Sequence, residues 1–365
     1  MKICYISNSA MPSDNASSLQ IVKMCEHLQI LGNEVTLILP NTGFRTSYYN
    51  FYNLKKNFNV IKCKKFNKFP IGINYYLYSI YSIYLSTKTN FKYYITRNFF
   101  TAFLLLLIQK KVIFELHTDL NIEGRFVRLL VKYFKFLKYK NLVKLVCITN
   151  GVKNYYIKNK LINNKKTIIL PSATELKFDL KKKINFNKKL KIGYFGSFYE
   201  SRGSKFIYNL AKIDDENNYY VYTKLKKKKI HFLKNLFIND FLDRKKIINK
   251  MKKIDIFIMP YQKGITAKGD VGDISSFTSP MKLFDYLAAG KVIIASELKV
   301  LKEILTHNKN CIFIKNFTNI FDWKIAIKKL KNSPKKYNML SKNAYMLSKK
   351  YSYTLRAKKI LEKLN

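Results

Sequence analysis

TSPMKLFDYLAAGKVIIASELKVLKEIL, residues 278–305, reads as a helix start, a helix stop and a buried strand in succession. Ser279 and Pro280 stand before an apolar run of helical period, where Ser suits the cap and Pro the first helical position. The pattern stops at Gly290, and 292–296 is apolar throughout, as a strand covered on both faces of a parallel sheet is. In doubly wound sheets such a helix start faces the crevice beyond the strand ends, and its free amides make an anion site with phosphate as the natural guest. Lys282 and Asp285 lie three apart and have two readings. One is a surface ion pair worth about 0.2–0.5 kcal/mol. In the other, Lys282 meets a phosphate while Asp285 accepts hydrogen bonds from a ribose diol, as acidic residues do in dinucleotide sites.

Outward from this stretch, two other strand ends carry chemistry. GYFGSFYESRG, 193–203, joins a strand to a helix; glycine spacing there is a weak signal by itself, but Arg202 at its mouth is placed to pair with a diphosphate, with Lys205 assisting. FELHTD, 114–119, ends a buried strand and delivers His117 to the sheet's carboxyl edge, where a lone His is more often structural than catalytic. The other histidines, His27, His231 and His307, show no ligand spacing. Asp270 and Asp273 lack the close pairing of a metal-diphosphate clamp, so no metal is expected.

Apolar runs at 3–7, 34–40, 111–117, 144–149 and 167–170 alternate with helical patterns, and a second series follows at 190–195, 219–223, 255–260, 292–296 and 311–315. At 365 residues two cores are expected, giving an α/β chain of two Rossmann-like domains. The divisions expected are 1–171, a polar linker over 172–189, a second domain over 190–340, and a helical tail over 341–365.

A net charge of +47 suggests a polyanionic partner: nucleic acid, an anionic membrane or phosphorylated substrates. The 69 basic residues are 62 Lys and 7 Arg, and readers of bases lean on Arg. Lys recurs here with Asn, Ile, Phe and Tyr, whose codons are A/T-rich, so codon bias competes with a nucleic-acid surface as the explanation. A basic nucleic-acid-binding protein without enzymatic activity is the alternative function. Five scattered cysteines, never in a CxxC pair, indicate neither disulfides nor zinc and fit a reducing compartment. The N-terminus reads as a first strand rather than a signal peptide, and the longest apolar run, 99–108, is about half a bilayer span.

Two helical stretches are less routine. YYLYSIYSIYLS, 75–86, puts serines at 79, 82 and 86 on one stripe; burial is the bland reading and contact with lipid or a partner the other. Residues 124–174 hold twelve Lys or Arg and no acid, with Arg125, Arg128, Lys132 and Lys135 on one helical face over 124–140. That face is either a solvated surface or a basic amphipathic helix on an anionic membrane.

Together these residues resemble the family-4 glycosyltransferases of the GT-B fold, over nearly the whole chain. SPMKLFDYLAAGKVIIAS, 279–296, looks like that family's SP-x-KLFEYMAAGKPIIAS segment; KIGYFGSFYESRG resembles its phosphate-binding turn, and LQIVKMCEHLQILGNEVTLILP its first helix and second strand. FELH and VCITNGVK are similar to two further strand ends, and KKYSYTLRAKKILEKL to a closing helix that crosses back onto the first domain. The resemblance implies two Rossmann-like domains facing each other across a cleft. It also implies retaining transfer of a sugar from a nucleoside diphosphate, without metal or other cofactor, to a lipid-linked or polysaccharide acceptor. By the same resemblance Arg202, with Lys205 or Lys282, neutralises the diphosphate, Asp285 holds the ribose, and His117 touches the transferred sugar. Gly196 belongs to the phosphate turn, the amides around Phe277, Thr278, Ser279 and Pro280 hold sugar hydroxyls, and Ser17 and Ser18 stand at the N-terminal cradle. The chain departs from the family at Phe277 and Asp285, where two glutamates are usual, at Ala16-Ser17-Ser18, where glycines are, and at Ser197-Phe198, where the first basic residue falls. The setting implied is the inner face of the cytoplasmic membrane, with the 124–140 helix on anionic lipid and no nucleic acid bound.

Overall fold

The computed structural model describes all residues except 44–46, 65–69, 179–183, 225–232, 241–243, 263, 265–274 and 365. His231, Asp270 and Asp273 therefore lie outside the described residues, as does the middle of the expected linker. The chain forms two compact units, Met1–Ala173 with Tyr353–Asn365, and Thr174–Ser352.

The first unit runs β1 (Lys2–Ile6), α1 (Ala16–Ile30), β2 (Glu34–Pro40), α2 (Tyr48–Tyr52), β3 (Asn59–Cys63), α3 (Ile71–Thr87) and β4 (Tyr93–Thr96). It continues through α4 (Phe99–Leu107), β5 (Val112–Leu116), α5 (Arg125–Phe134), β6 (Leu142–Cys147), α6 (Asn150–Lys158) and β7 (Thr167–Ile169). Its seven strands are all parallel in the order β3-β2-β1-β4-β5-β6-β7, so the winding reverses between β1 and β4. The inner strands β1, β4 and β5 are apolar almost throughout because helices cover both faces.

The second unit runs β8 (Lys191–Phe195), α7 (Ser204–Ile213), β9 (Asn218–Thr223), β10 (Leu236–Asp240), α8 (Arg244–Met251), β11 (Ile256–Met259) and α9 (Met281–Ala288). After these come β12 (Val292–Ser296), α10 (Lys299–Lys302), β13 (Ile312–Ile314), α11 (Ile320–Lys331) and α12 (Pro334–Ser348). Its six parallel strands follow β10-β9-β8-β11-β12-β13, reversing between β8 and β11. One layer of core lies around Phe257, Tyr286 and Ile293 and the other around Ile192, Trp323 and Leu340, on either side of this sheet.

The divisions shift from those expected. Thr174 N donates to Tyr351 O and pairs with Ser352 as an isolated bridge, so the second unit opens at Thr174 and closes at Ser352. The tail expected from 341 is two helices: α12 buries Tyr337, Leu340 and Ala344 in the second unit, and α13 (Tyr353–Leu361) returns to the first.

The serine stripe of α3 faces inward. Ser79, Ser82 and Ser86 are fully buried and donate to carbonyls three or four residues back, while Ile73, Ile80 and Tyr84 are exposed. Ser79 also accepts from Asn98 Nδ2 and Thr101 Oγ1, which satisfies a polar seam between α3 and α4. The basic helix expected over 124–140 is shorter: α5 stops at Phe134, and Lys135 takes a left-handed turn (φ 48°) before a 3-10 turn at Phe136–Lys138. Among the described residues no helix is long and apolar enough to cross a membrane.

Candidate active site

The end of β8 turns through Gly196, whose φ is 133° and whose absent Cβ would lie 3.0 Å from Lys282 Cε and Nζ. Only glycine lets the backbone turn there with Lys282 laid against it. The chain then makes a 3-10 turn, Glu200–Arg202, pinned where Gln262 N donates to Ser201 O at 3.0 Å. Gly203 follows at φ 90°, packed so tightly that a Cβ would collide with Pro260 O. The turn after β8 and the segment after β11 are thus locked together at the point where the winding reverses, the usual seat of ligands in open α/β sheets.

Two cations meet in this corner, each with a nitrogen that lacks a hydrogen-bond partner. Arg202 Nε and Lys282 Nζ are shielded from solvent and make no hydrogen bond, and the same is true of the Tyr261 hydroxyl. Lys282 Nζ lies 3.9 Å from the centroid of the Tyr194 ring and 5.4 Å from that of Tyr261. Burial, and then the charge of Arg202, push the Lys282 ammonium well below its ordinary pKa. Aromatic faces attract a cation by about 0.5–2 kcal/mol, less than the loss of all its water, so among the described residues the site is short of negative charge. Cations held apart from water at a strand end are what a diphosphate replaces with favourable pairing.

The opening helix differs in detail from its reading. Pro280, not Ser279, is the cap residue of α9, with no side-chain cap hydrogen bond, because Pro280 keeps an extended backbone (ψ 120°). Phe277, Thr278 and Ser279 form the half-buried approach to it. Asp285 does not pair with Lys282. It is buried and its Oδ1 accepts from Thr174 Oγ1 at 2.7 Å, so the carboxylate helps hold the start of the second unit. Tyr286, one residue on, accepts from Phe195 N at 2.7 Å and stacks on Phe257 at 4.1 Å, fixing α9 against the end of β8. Lys205 is exposed on the first turn of α7, and no hydrogen bond or ion pair joins it to Arg202 or Lys282 among the described residues.

In the first unit His117 sits just past β5. Burial, with Arg97 second, lowers its pKa to about 4, so the imidazole is neutral at physiological pH. Its Nε2 lies 3.7 Å from Glu115 Oε2 and has no hydrogen-bond partner. Glu115 is fully buried and accepts from Tyr5 Oη (3.0 Å), Arg97 Nε (2.7 Å) and Arg356 Nη1 (2.8 Å). Burial opposes its charge, but Arg356 and Arg97 outweigh burial and hold the carboxyl well below the usual range. Ser17 is exposed on the first turn of α1, whereas Ser18 is buried and shares a 2.8 Å hydrogen bond with Ser13. The sequence reading missed Arg97, Glu115, Arg356, Tyr194 and Tyr261. The scarcity of Arg was the available signal, since Arg97, Arg202 and Arg356 are three of only seven.

Two doubly wound parallel units, each with its winding reversed at a switch point, make up the architecture of the GT-B fold. Residues 179–346, nearly all of the second unit and just under half of the chain, match the family Glycosyl transferases group 1. Similar solved structures include Anabaena HepE in complex with UDP (TM-score 0.74, 11% identity, covering 100% of this chain and 99% of that one). Sucrose-phosphate synthase from Thermosynechococcus elongatus gives 0.71 at 10% identity over 98% and 97%, and WaaG, a glycosyltransferase involved in lipopolysaccharide biosynthesis, 0.64 at 12% over 99% and 100%. At such identities the likeness is one of fold. No individual curated protein matches the chain in sequence.

Proposed function

We propose that the protein is a retaining glycosyltransferase that moves a sugar from a nucleoside diphosphate, UDP first among the candidates, to a lipid-linked or polysaccharide acceptor. The observation that carries this is the pair of unpartnered cations, Arg202 Nε and Lys282 Nζ, at the carboxyl end of β8. Bond breaking at the sugar builds negative charge on the leaving diphosphate, and fixed cations shielded from water stabilise that charge with no reorganisation. This role asks for no metal, since Arg202 and Lys282 supply the positive charge. The residues around Phe277–Pro280 are assigned to sugar hydroxyls, and Asp285 to the ribose once its Thr174 contact is shared. His117, neutral at physiological pH, is assigned a hydrogen bond to the transferred sugar rather than a charge. The leaving phosphate itself takes the acceptor's proton. HepE complexes with UDP and with UDP-glucose support the choice of nucleotide, and the lipopolysaccharide role of WaaG supports the acceptor class.

The setting proposed is the cytoplasmic face of the membrane. Supporting it, α5 exposes Phe126, Leu129, Tyr133 (78%) and Phe134 beside Arg125 and Lys132, and Phe126 packs on Tyr76 of α3 at 5.4 Å. Apolar side chains and cations on one surface suit an anionic lipid interface.

The test is thermal unfolding with UDP, GDP and ADP. One of them should raise Tm, and Arg202→Ala should remove the shift; no shift with any of the three would count decisively against the reading. Donor hydrolysis across a panel of nucleotide sugars then identifies the sugar.

A further inference from the structure

A cavity of about 650 Å³ opens in the first unit beside the ends of α5 and α6. Four lysines line it: Lys132 on α5, Lys135 and Lys138 at the 3-10 turn after it, and Lys160 just past α6. All four are exposed, and none of their ammonium groups has a hydrogen-bond or ion-pair partner among the described residues. Buried Leu120 and Leu161 give the lining its apolar part. Two of the lysines, Lys135 at φ 48° and Lys160 at φ 54°, hold the left-handed backbone that residues with a Cβ seldom adopt. Helix ends of this kind normally use Gly or Asn, so both sites keep a cation where the backbone would favour neither. Backbone outliers of this kind cluster at functional sites.

The bland account is that lysines near helix ends offset the helix dipoles. Two helix C-termini bring roughly half a negative charge each, about one charge in all against four ammonium groups. About three positive charges remain on one concave surface. No acid occurs between Gly124 and Thr174 and none is among the residues that line the cavity; Asp119, next to the lining, accepts the backbone and side-chain amides of Asn121 at 3.1 and 3.0 Å. A concavity lined by one sign of charge focuses its field and concentrates counter-ions.

The neighbouring surface selects the class of anion. Leu129, Tyr133 and Phe134 are exposed on the same helix that supplies Lys132, and apolar side chains flanking cations suit the boundary between lipid tails and headgroups. We propose that this cavity receives the phosphomonoester or diphosphate headgroup of a lipid. The assignment rests on the membrane-face reading above and adds a specific headgroup seat to it. The cavity begins at Leu120, three residues beyond His117, which puts a lipid-borne phosphate on the same strand's exit as the imidazole assigned to the sugar.

The experiment is flotation of the full-length protein with phosphatidylcholine vesicles doped either with phosphatidic acid or, at equal surface charge, with phosphatidylserine. The unsubstituted protein should prefer phosphatidic acid. Lys135→Gln/Lys138→Gln/Lys160→Gln should lose that preference and about tenfold or more in affinity, whereas the control Lys335→Gln/Lys336→Gln/Lys342→Gln on α12 should keep the preference. All six lysines are exposed, so both variants are expected to fold. Equal losses in the two triple variants, or equal binding of the two vesicles, would leave the membrane reading standing and overturn the cavity. Failure to bind either vesicle would overturn both. Inorganic pyrophosphate supplies the last arm: if it raises Tm in the unsubstituted protein and not in the cavity variant while the vesicles are not discriminated, the ligand is a soluble phosphate and the lipid assignment is wrong.

Discussion

Lys282 Nζ rests 3.9 Å from the centre of the Tyr194 ring, facing an aromatic surface where a carboxylate would be expected. The groups around it are Arg202 from the turn after β8, Tyr194 from β8 itself and Tyr261 from beyond β11, so among the described residues nothing negative faces it at neutral pH. With its pKa depressed, Lys282 binds fewer protons folded than unfolded between the depressed value and 10.5. The ligand-free protein therefore gains stability from this group as pH rises through that window. A diphosphate reverses the situation by restoring the charge. Calorimetric binding of UDP at pH 8–9, in two buffers of different ionisation enthalpy, should show proton uptake, since the phosphate groups have shed theirs by about pH 6. Lys282→Arg should bind without uptake, and uptake that persists in that variant would contradict the assignment.

Gly196→Ala places a methyl group 3.0 Å from the Lys282 side chain at φ 133°. The strain should cost about 1–3 kcal/mol of stability and shift Lys282 as well. Nucleotide affinity should fall by about tenfold or more, as read by the same calorimetry. A variant that unfolds earlier yet binds UDP normally would show that Lys282 plays no part in binding.

Glu115 holds the buried Arg356 and the half-buried Arg97, so Glu115→Gln should destabilise the first unit by about 3–5 kcal/mol in urea unfolding. Its depressed pKa means that the stabilisation is present above the ordinary carboxylate range and is lost only as pH falls through the lower folded value.

His117 titrates in the same sense, in a higher pH window. Its pKa of about 4 lies below the ordinary 6.5, so the unfolded chain binds the extra proton between those values and stability drains as pH falls from 6.5 toward 4. The side chain is 28% exposed, which limits the effect to about 1–2 kcal/mol. Urea midpoints from pH 7 to 4.5 should converge for the unsubstituted protein and His117→Asn; parallel curves would remove His117 as the cause.

Lys144 Nζ donates to carbonyls at and just past the end of α13, Lys359 O at 3.1 Å, Ile360 O at 2.8 Å and Glu362 O. Lys144→Met leaves those carbonyls with no side-chain partner. The expected result is a loss of about 1–3 kcal/mol and earlier proteolysis within α13. Unchanged protection of α13 in hydrogen exchange would contradict this.

Much of the fold was legible because buried parallel strands announce themselves as unbroken apolar runs: β2, β9 and β12 fall where the pattern puts them. The strands missed are explicable. β3 and β10 are edge strands with mostly half-buried or exposed side chains, and β4, YYIT, follows a Tyr-rich helix closely enough to lose its own signature. In the site, Arg202 and Lys282 were found from turn and helix-start chemistry, both local signals. The aromatic faces over Lys282 were not, because Tyr194 lies on β8 and Tyr261 comes from beyond β11, 67 residues further along the chain. Nor was the pairing of Asp285 with Thr174, which lies 111 residues away.

The return of α13 to the first unit sets an order of events during synthesis. Glu115 leaves the ribosome 241 residues before Arg356, its second guanidinium partner. At about 5–20 residues per second, roughly 10–50 s pass with that carboxylate attended by Arg97 alone. The nascent first unit waits with an unfinished interior while the second unit is made, so a chain truncated before Tyr353 should engage holdase chaperones for as long as it survives.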